Sequence, residues 1–220
     1  MAYQHTFVDG SSCDLPAGKV VCVGRNYAEH AKELNNPIPS EPILFIKPST
    51  SLVDMTQPFS LPTGHGCIHF ETELALLIGK PLTRADEQAA AEAIVGVGLA
   101  LDMTLRDLQS ALKEKGQPWE KAKAFDGSCP VSAFVKPDKV GALTELPLRL
   151  TVNGEIRQDG SSSQMLNPIV QLISYISQWF TLQPGDIVLT GTPAGVGEAK
   201  SGDELLVELP GHLAVNTRII

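Results

Sequence analysis

Two apolar runs punctuated by acids constrain this chain more than any other feature. The first, His69-Phe70-Glu71-Thr72-Glu73-Leu74-Ala75-Leu76-Leu77-Ile78-Gly79, carries two glutamates at its head. The second, Ala93-Ile94-Val95-Gly96-Val97-Gly98-Leu99-Ala100-Leu101-Asp102, ends on an aspartate. Both read as strands. Alternate side chains of a strand share a face, so Glu71 and Glu73 point the same way with Cα atoms ~7 Å apart. Carboxylates brought to the edge of a core are costly unless cations or hydrogen bonds compensate them.

A hard divalent cation, Mg²⁺ or Mn²⁺, is the simplest compensation for such acids. Alone, a Glu-x-Glu alternation is more often the mark of a solvated turn. Asp102 tips the balance. It closes an apolar strand two residues before Thr104-Leu105-Arg106-Asp107, a threonine N-cap signal with an acid at the third helical position. Strand ends before helices commonly carry functional groups. The three acids therefore predict a metalloenzyme.

At 220 residues and 43% hydrophobic, the chain can bury a real core within one domain, expected to span 1–220. A net charge of −8 argues against nucleic acid or an anionic membrane as partner. No run approaches the ~18 apolar residues of a membrane span. The start, Met1-Ala2-Tyr3-Gln4-His5, lacks a secretory pattern, so a cytoplasmic location is expected. Cys13, Cys22, Cys67 and Cys129 form no C-x-x-C pair and read as reduced, small packing residues.

Local signals place the elements. Lys19–Val23 and Ile43–Ile46 read as strands. Between them, Asn26 and Glu29 form a capping pattern for a short helix from Tyr27 to Leu34. The proline-rich stretch from Asn35 to Pro42 cannot continue that helix and reads as a mobile flap. Helices are expected over Thr83–Ile94, with Thr83 as cap, over Thr104–Lys115, and from Asn167-Pro168 to Trp179. In the last, Ile169, Leu172, Ile173 and Ile176 recur at helical spacing. Leu146–Val152 and Glu155–Gln158 flank Asn153-Gly154, the signature of a type I′ hairpin. Asp186–Thr190 and Glu204–Leu209 complete the strands. Strands outnumber helices without alternating with them, which favours an α+β or mainly β architecture. Neither Gly96-Val97-Gly98 nor Gly191–Gly197 has the spacing of a dinucleotide or phosphate loop, so no nucleotide cofactor is expected.

Seven segments in order resemble the fumarylacetoacetate hydrolase family, in its small branch of acylpyruvate hydrolases and oxaloacetate decarboxylases. They are Gly24-Arg25-Asn26-Tyr27-Ala28-Glu29-His30, Phe45-Ile46-Lys47-Pro48, His69–Leu74, Leu101–Asp107, Lys121–Asp126, Val152–Glu155 and Gly191–Gly197. The resemblance implies a β-roll of mixed sheets with a few peripheral helices, assembled as a homodimer. It implies Mg²⁺ or Mn²⁺ held by Glu71, Glu73 and Asp102, with a small 2-oxo acid as the other ligand.

The remaining roles follow from chemistry and resemblance together. A chelated keto group accepts the electrons of a breaking bond beyond C3 as an enolate. Of Lys121 and Lys123, the resemblance selects Lys123 to supply a second positive charge there. His30 and Glu33 lie one turn apart on one helix face, which suits a general base and its orienter. Thr192, Arg25 and Gln109 are candidate substrate contacts. With an activated water, this set would hydrolyse acylpyruvates or fumarylpyruvate; without one, it would decarboxylate oxaloacetate. The alternative is an isomerase, tautomerase or decarboxylase of 2-hydroxy-dienoates from aromatic catabolism.

Overall fold

A computed structural model describes residues 3–220. Its elements begin with β1 (Val20–Gly24), α1 (Ala28–Glu33), β2 (Ile43–Lys47), β3 (Leu52–Asp54), β4 (Ile68–Phe70) and β5 (Thr72–Ile78). Next come α2 (Glu87–Ala93), β6 (Ile94–Leu101), β7 (Thr104–Leu105), α3 (Arg106–Glu114), α4 (Glu120–Lys123) and β8 (Cys129–Val131). The chain ends with β9 (Pro147–Val152), β10 (Glu155–Ser161), α5 (Ile169–Trp179), β11 (Ile187–Leu189), β12 (Gly197–Glu198), β13 (Glu204–Leu209) and β14 (Leu213–Arg218).

These strands form three sheets. A seven-stranded mixed sheet runs β2-β1-β11-β5-β6-β8-β3, with β1 parallel to β11 and β3 parallel to β8. A four-stranded antiparallel sheet runs β10-β9-β13-β14, and a small one runs β12-β4-β7. Sheet rather than helix dominates, as the α+β, mainly β expectation has it.

Every residue of β5 is buried, because the large sheet is covered on both faces. Leu74, Leu76 and Ile78 join Val21, Leu99 and Leu101 on one face, under α5 and the four-stranded sheet. Ala75 and Leu77 join Val20, Cys22, Ile187 and Leu189 on the other, under Phe134 and the segment carrying Tyr3, Phe7 and Leu15. Each fully buried leucine contributes about 1.5–3 kcal/mol by leaving water. The glycines of Gly96-Val97-Gly98 belong to this packing: a Cβ on Gly96 would sit 2.8 Å from Phe134 Cβ. All four stripe residues of α5 are buried. Asn153 and Gly154 take φ of 51° and 84°, the turn that Asn-Gly predicts.

Three helix starts differ from expectation, each because tertiary bonding claims the expected cap. Asp86, not Thr83, caps α2 by accepting from Ala89 N at 2.8 Å, while Thr83 pairs with Thr181. Thr104 sits in β7 opposite His69, so α3 begins at Arg106. Asn26 does not cap α1. Its side chain bonds Thr190 O at 2.8 Å and Asn167 N at 2.8 Å, stitching β1 to distant loops. Residues 35–42 contain no helix or strand, in keeping with their prolines. No helix among the described residues is long and apolar enough to cross a membrane.

Candidate active site

The antiparallel register of β5 on β6 brings the three acids together. Glu73 pairs with Ala100 and Thr72 with Leu101, and the Asp102 N–H donates to Glu71 O at 2.8 Å. Glu71, Glu73 and Asp102 are 5%, 1% and 1% exposed. Each offers an oxygen within 4.8 Å of the other two. A carboxylate cluster so deeply buried demands compensation.

Part of that compensation is cationic. Lys123 Nζ donates to Glu71 Oε2 at 2.8 Å and to Asp102 Oδ2 at 2.7 Å. Arg106 Nη2 donates to Glu71 Oε1, and its Nη1 to Gln109 Oε1 at 2.7 Å. Lys47, fully buried at the end of β2, holds its Nζ 2.8 Å from Asp102 Oδ1. The same ammonium donates to Lys123 O and to Ser128 Oγ, 3.1 Å away.

The titration behaviour follows. Burial would raise the Glu71 pKa, but the charges of Lys123, Arg106 and His30 override it and hold it well below the carboxylate range. Among the described residues Glu73 accepts only the Gly191 N–H, at 2.7 Å, so burial and the Asp102 and Glu71 charges push it well above that range. Burial opposes the Lys123 charge, yet Asp102 and Glu71 win and raise its pKa. An all-oxygen set in which, among the described residues, Glu73 has no ion-pair partner suits a hard divalent cation.

Beside the acids, a narrow cleft with about 40 Å³ of free space opens between α1 and α3. His30 lines it, 6% exposed, with Nδ1 3.2 Å from Glu33 Oε2. The other oxygen of Glu33 accepts from Gly195 N at 3.0 Å, tying α1 to the glycine-rich loop. A Cβ on Gly195, whose φ is +98°, would lie 1.9 Å from Arg157 O, so only glycine fits there. Lys123 is buried in α4 while Lys121 is exposed. The two diverge because two residues on a helix are 200° apart.

All nine sequence-derived candidates therefore converge on one region: Glu71, Glu73, Asp102, His30, Lys123, Arg25, Gln109 and Thr192 line the cleft, with Glu33 behind His30. Thr192 is less free than expected. Its hydroxyl donates to Thr72 O at 2.8 Å and accepts from Gln158 Nε2 at 2.7 Å. A bulge between Ile156 and Gln158 turns Gln158 inward for this bond. Lys47 and Arg106 were missed as site residues. The signals were present: a lysine closing the apolar run Ile43–Ile46, and an arginine one turn before Gln109.

The fumarylacetoacetate hydrolase C-terminal family profile matches residues 19–220. The chain belongs to the fumarylacetoacetate hydrolase family. Among its relatives is the oxaloacetate tautomerase YcgM of Escherichia coli strain K12, 52% identical over 99% of this chain and 100% of that protein. The mitochondrial oxaloacetate decarboxylase of Dictyostelium discoideum is 46% identical over 88% of this chain and 89% of its own. A crystal structure of fumarylpyruvate hydrolase from Pseudomonas aeruginosa, in complex with Mn²⁺ and pyruvate, is 36% identical. It superposes with a TM-score of 0.93, covering 100% of this chain and 97% of that one. These relatives are enzymes of one family with three different activities.

Proposed function

We propose that this protein is a divalent-metal-dependent enzyme of 2-oxo acids that interconverts the keto and enol forms of oxaloacetate and decarboxylates it. The observation that carries the reading is the buried trio Glu71, Glu73 and Asp102 with Lys123 bonded to two of them. Glu71, Glu73 and Asp102 would hold Mg²⁺ or Mn²⁺, which when bound polarises the carboxylate and keto oxygens of a 2-oxo acid. Lys123 keeps a fixed ammonium at the place where negative charge develops on the substrate. Arg106 holds Glu71 in position, and Lys47 fixes Lys123 through its main-chain oxygen. Glu33 on Nδ1 orients the His30 ring and leaves Nε2 to carry a proton from C3 to the C2 oxygen in enolisation and back in ketonisation, and a protonated His30 to supply C3 with its proton once CO₂ has left. Arg25 and Gln109 would contact the far end of the substrate, and Thr192 would shape the loop beneath it.

A second reading, hydrolysis of acylpyruvates or fumarylpyruvate beyond C3, is favoured by the same His30–Glu33 pair, since cleavage needs a base for water. The working unit is proposed to be a cytoplasmic homodimer; light scattering checks its mass. The test of function is a panel of oxaloacetate and short acylpyruvates with Mg²⁺, read by enol absorbance and mass-resolved products. His30→Ala is expected to lower turnover by about 10²–10⁴-fold, the usual contribution of an acid–base group. Wild-type protein that leaves every one of these acids unchanged would refute the proposal.

A further inference from the structure

Strand β5 loses its outer partner just where the acids begin. Its ladder with β11 runs from Leu77 opposite Ile187 to Ala75 opposite Leu189. Continued, that register would set Thr192 opposite Thr72, the residue between Glu71 and Glu73. Gly191, at a φ of 89°, turns the chain aside instead. Successive residues of an antiparallel strand send their peptide groups to opposite sides. Glu71 O faces β6, where it accepts the Asp102 N–H, so the N–H and C=O of Thr72 face the side that β11 has left. Thr72 is fully buried, and orphaned peptide groups there would be costly.

Two side chains stand in for the missing strand. Gln158 Oε1 accepts the Thr72 N–H at 2.9 Å, and the Thr192 hydroxyl donates to Thr72 O at 2.8 Å. Gln158 Nε2 closes the ring by donating to Thr192 Oγ1 at 2.7 Å, and it also reaches Pro193 O at 2.8 Å. Strand β10 gives up apolar burial for this ring. In a regular strand Ile156 and Gln158 would share a face. The bulge between them leaves Ile156 exposed and makes Gln158 the one buried residue of β10. A strand shaped by stability alone would bury the isoleucine. Arg157 O, in the same bulge, lies against Gly195, so β10 seats the glycine-rich loop at two points.

Resting on the reading of Glu71, Glu73 and Asp102 as the ligands of a divalent cation, we infer that Gln158 is a positioning residue for that set. It lies outside the cleft and acts through the main chain of Thr72. The Thr72 N–H belongs to the peptide unit shared with Glu71, and its C=O to the unit shared with Glu73. Both units are planar and rigid, so a ring that holds both fixes the spacing of the two glutamates. The loop that the ring anchors also supplies the Gly191 N–H to Glu73. A small ion that demands strict octahedral geometry needs donors held in this way.

The test compares wild-type protein with Gln158→Met, which keeps the side-chain volume and removes the amide. Calorimetric titration with Mn²⁺ is expected to show binding weakened by about 10–100-fold, the usual cost of losing a group that orients a metal's ligands. In EDTA, hydrogen exchange at the Thr72 amide should speed up, while the Leu76 amide, deeper in the same buried strand, keeps its rate. Thr192→Val opens the ring from its other side at nearly constant shape, and the Mn²⁺ titration rests on it should Gln158→Met not fold. The double variant should lose no more affinity than the worse single one, since members of one ring act as a unit. A folded variant that melts earlier yet binds Mn²⁺ as wild type does overturns the inference. Additive losses, or an unchanged Thr72 amide in Gln158→Met, do the same, and each leaves the metal reading standing. Wild-type protein that binds no Mn²⁺ overturns that reading and this inference with it.

Discussion

Lys47→Met is the sharpest probe of how the acids are tolerated. Methionine nearly matches the lysine stem in volume, so the change removes a charge and its donors with little loss of packing. Lys47 is fully buried, 2.8 Å from Asp102 Oδ1, and bonds Lys123 O and Ser128 Oγ. Removing one partner of a buried pair costs about 3–5 kcal/mol. Asp102 keeps Lys123 at 2.7 Å, which argues for the low end. For a chain of this size, about 3 kcal/mol lowers Tm by about 6–12 °C. The assay is thermal melting in EDTA and in saturating Mn²⁺. An ion bound to the folded state alone adds about 2.7 kcal/mol at a hundred times its Kd. Without the Lys47 charge beside Asp102 the variant should bind that ion more tightly, so its deficit should shrink in Mn²⁺. Coincident melts in EDTA would refute the claim that Lys47 compensates buried charge. A deficit that widens in Mn²⁺ would show that Lys47 supports the ion instead of opposing it.

Other changes give equally definite outcomes. The raised pKa of Glu73 means that the folded, metal-free protein keeps a proton the unfolded chain has already released. Stability should therefore fall as pH climbs from the ordinary glutamate value toward the folded one. Glu73→Gln should flatten that slope in EDTA melts and weaken Mn²⁺ binding in calorimetry. Burial lowers the His5 pKa, and its Nε2 lies 3.0 Å from Gly185 O. Its contribution is complete above the unfolded value of about 6.5 and is lost as pH falls through and below it. His5→Gln should narrow the difference between urea midpoints at about pH 7.5 and about pH 5. Gly195→Ala forces a Cβ against Arg157 O at a φ of +98°. It should cost more than about 1 kcal/mol and lower kcat as Glu33 loses its anchor, checked by melts and steady-state kinetics.

Short-range patterns carried much of this protein. The Asn153-Gly154 turn, the buried stripe of α5 and the His30–Glu33 adjacency all follow from local dihedral preferences and helical periodicity. The types of the three acids and their place at strand ends were also legible, because a carboxylate in an apolar run is conspicuous. Their compensation was not. Lys47, Arg106 and Lys123 come from three separate segments, and only the pairing of β2 on β1, the start of α3 after β7 and the short helix α4 bring them within bonding distance of Glu71 and Asp102. Helix starts failed for the same reason: Asn26 and Thr104 look like caps until distant loops and a neighbouring strand claim their groups. Local pattern decides which way a residue faces along its own element. Which charge meets which is set by long-range pairing, and here that pairing turns three buried acids from a liability into a site.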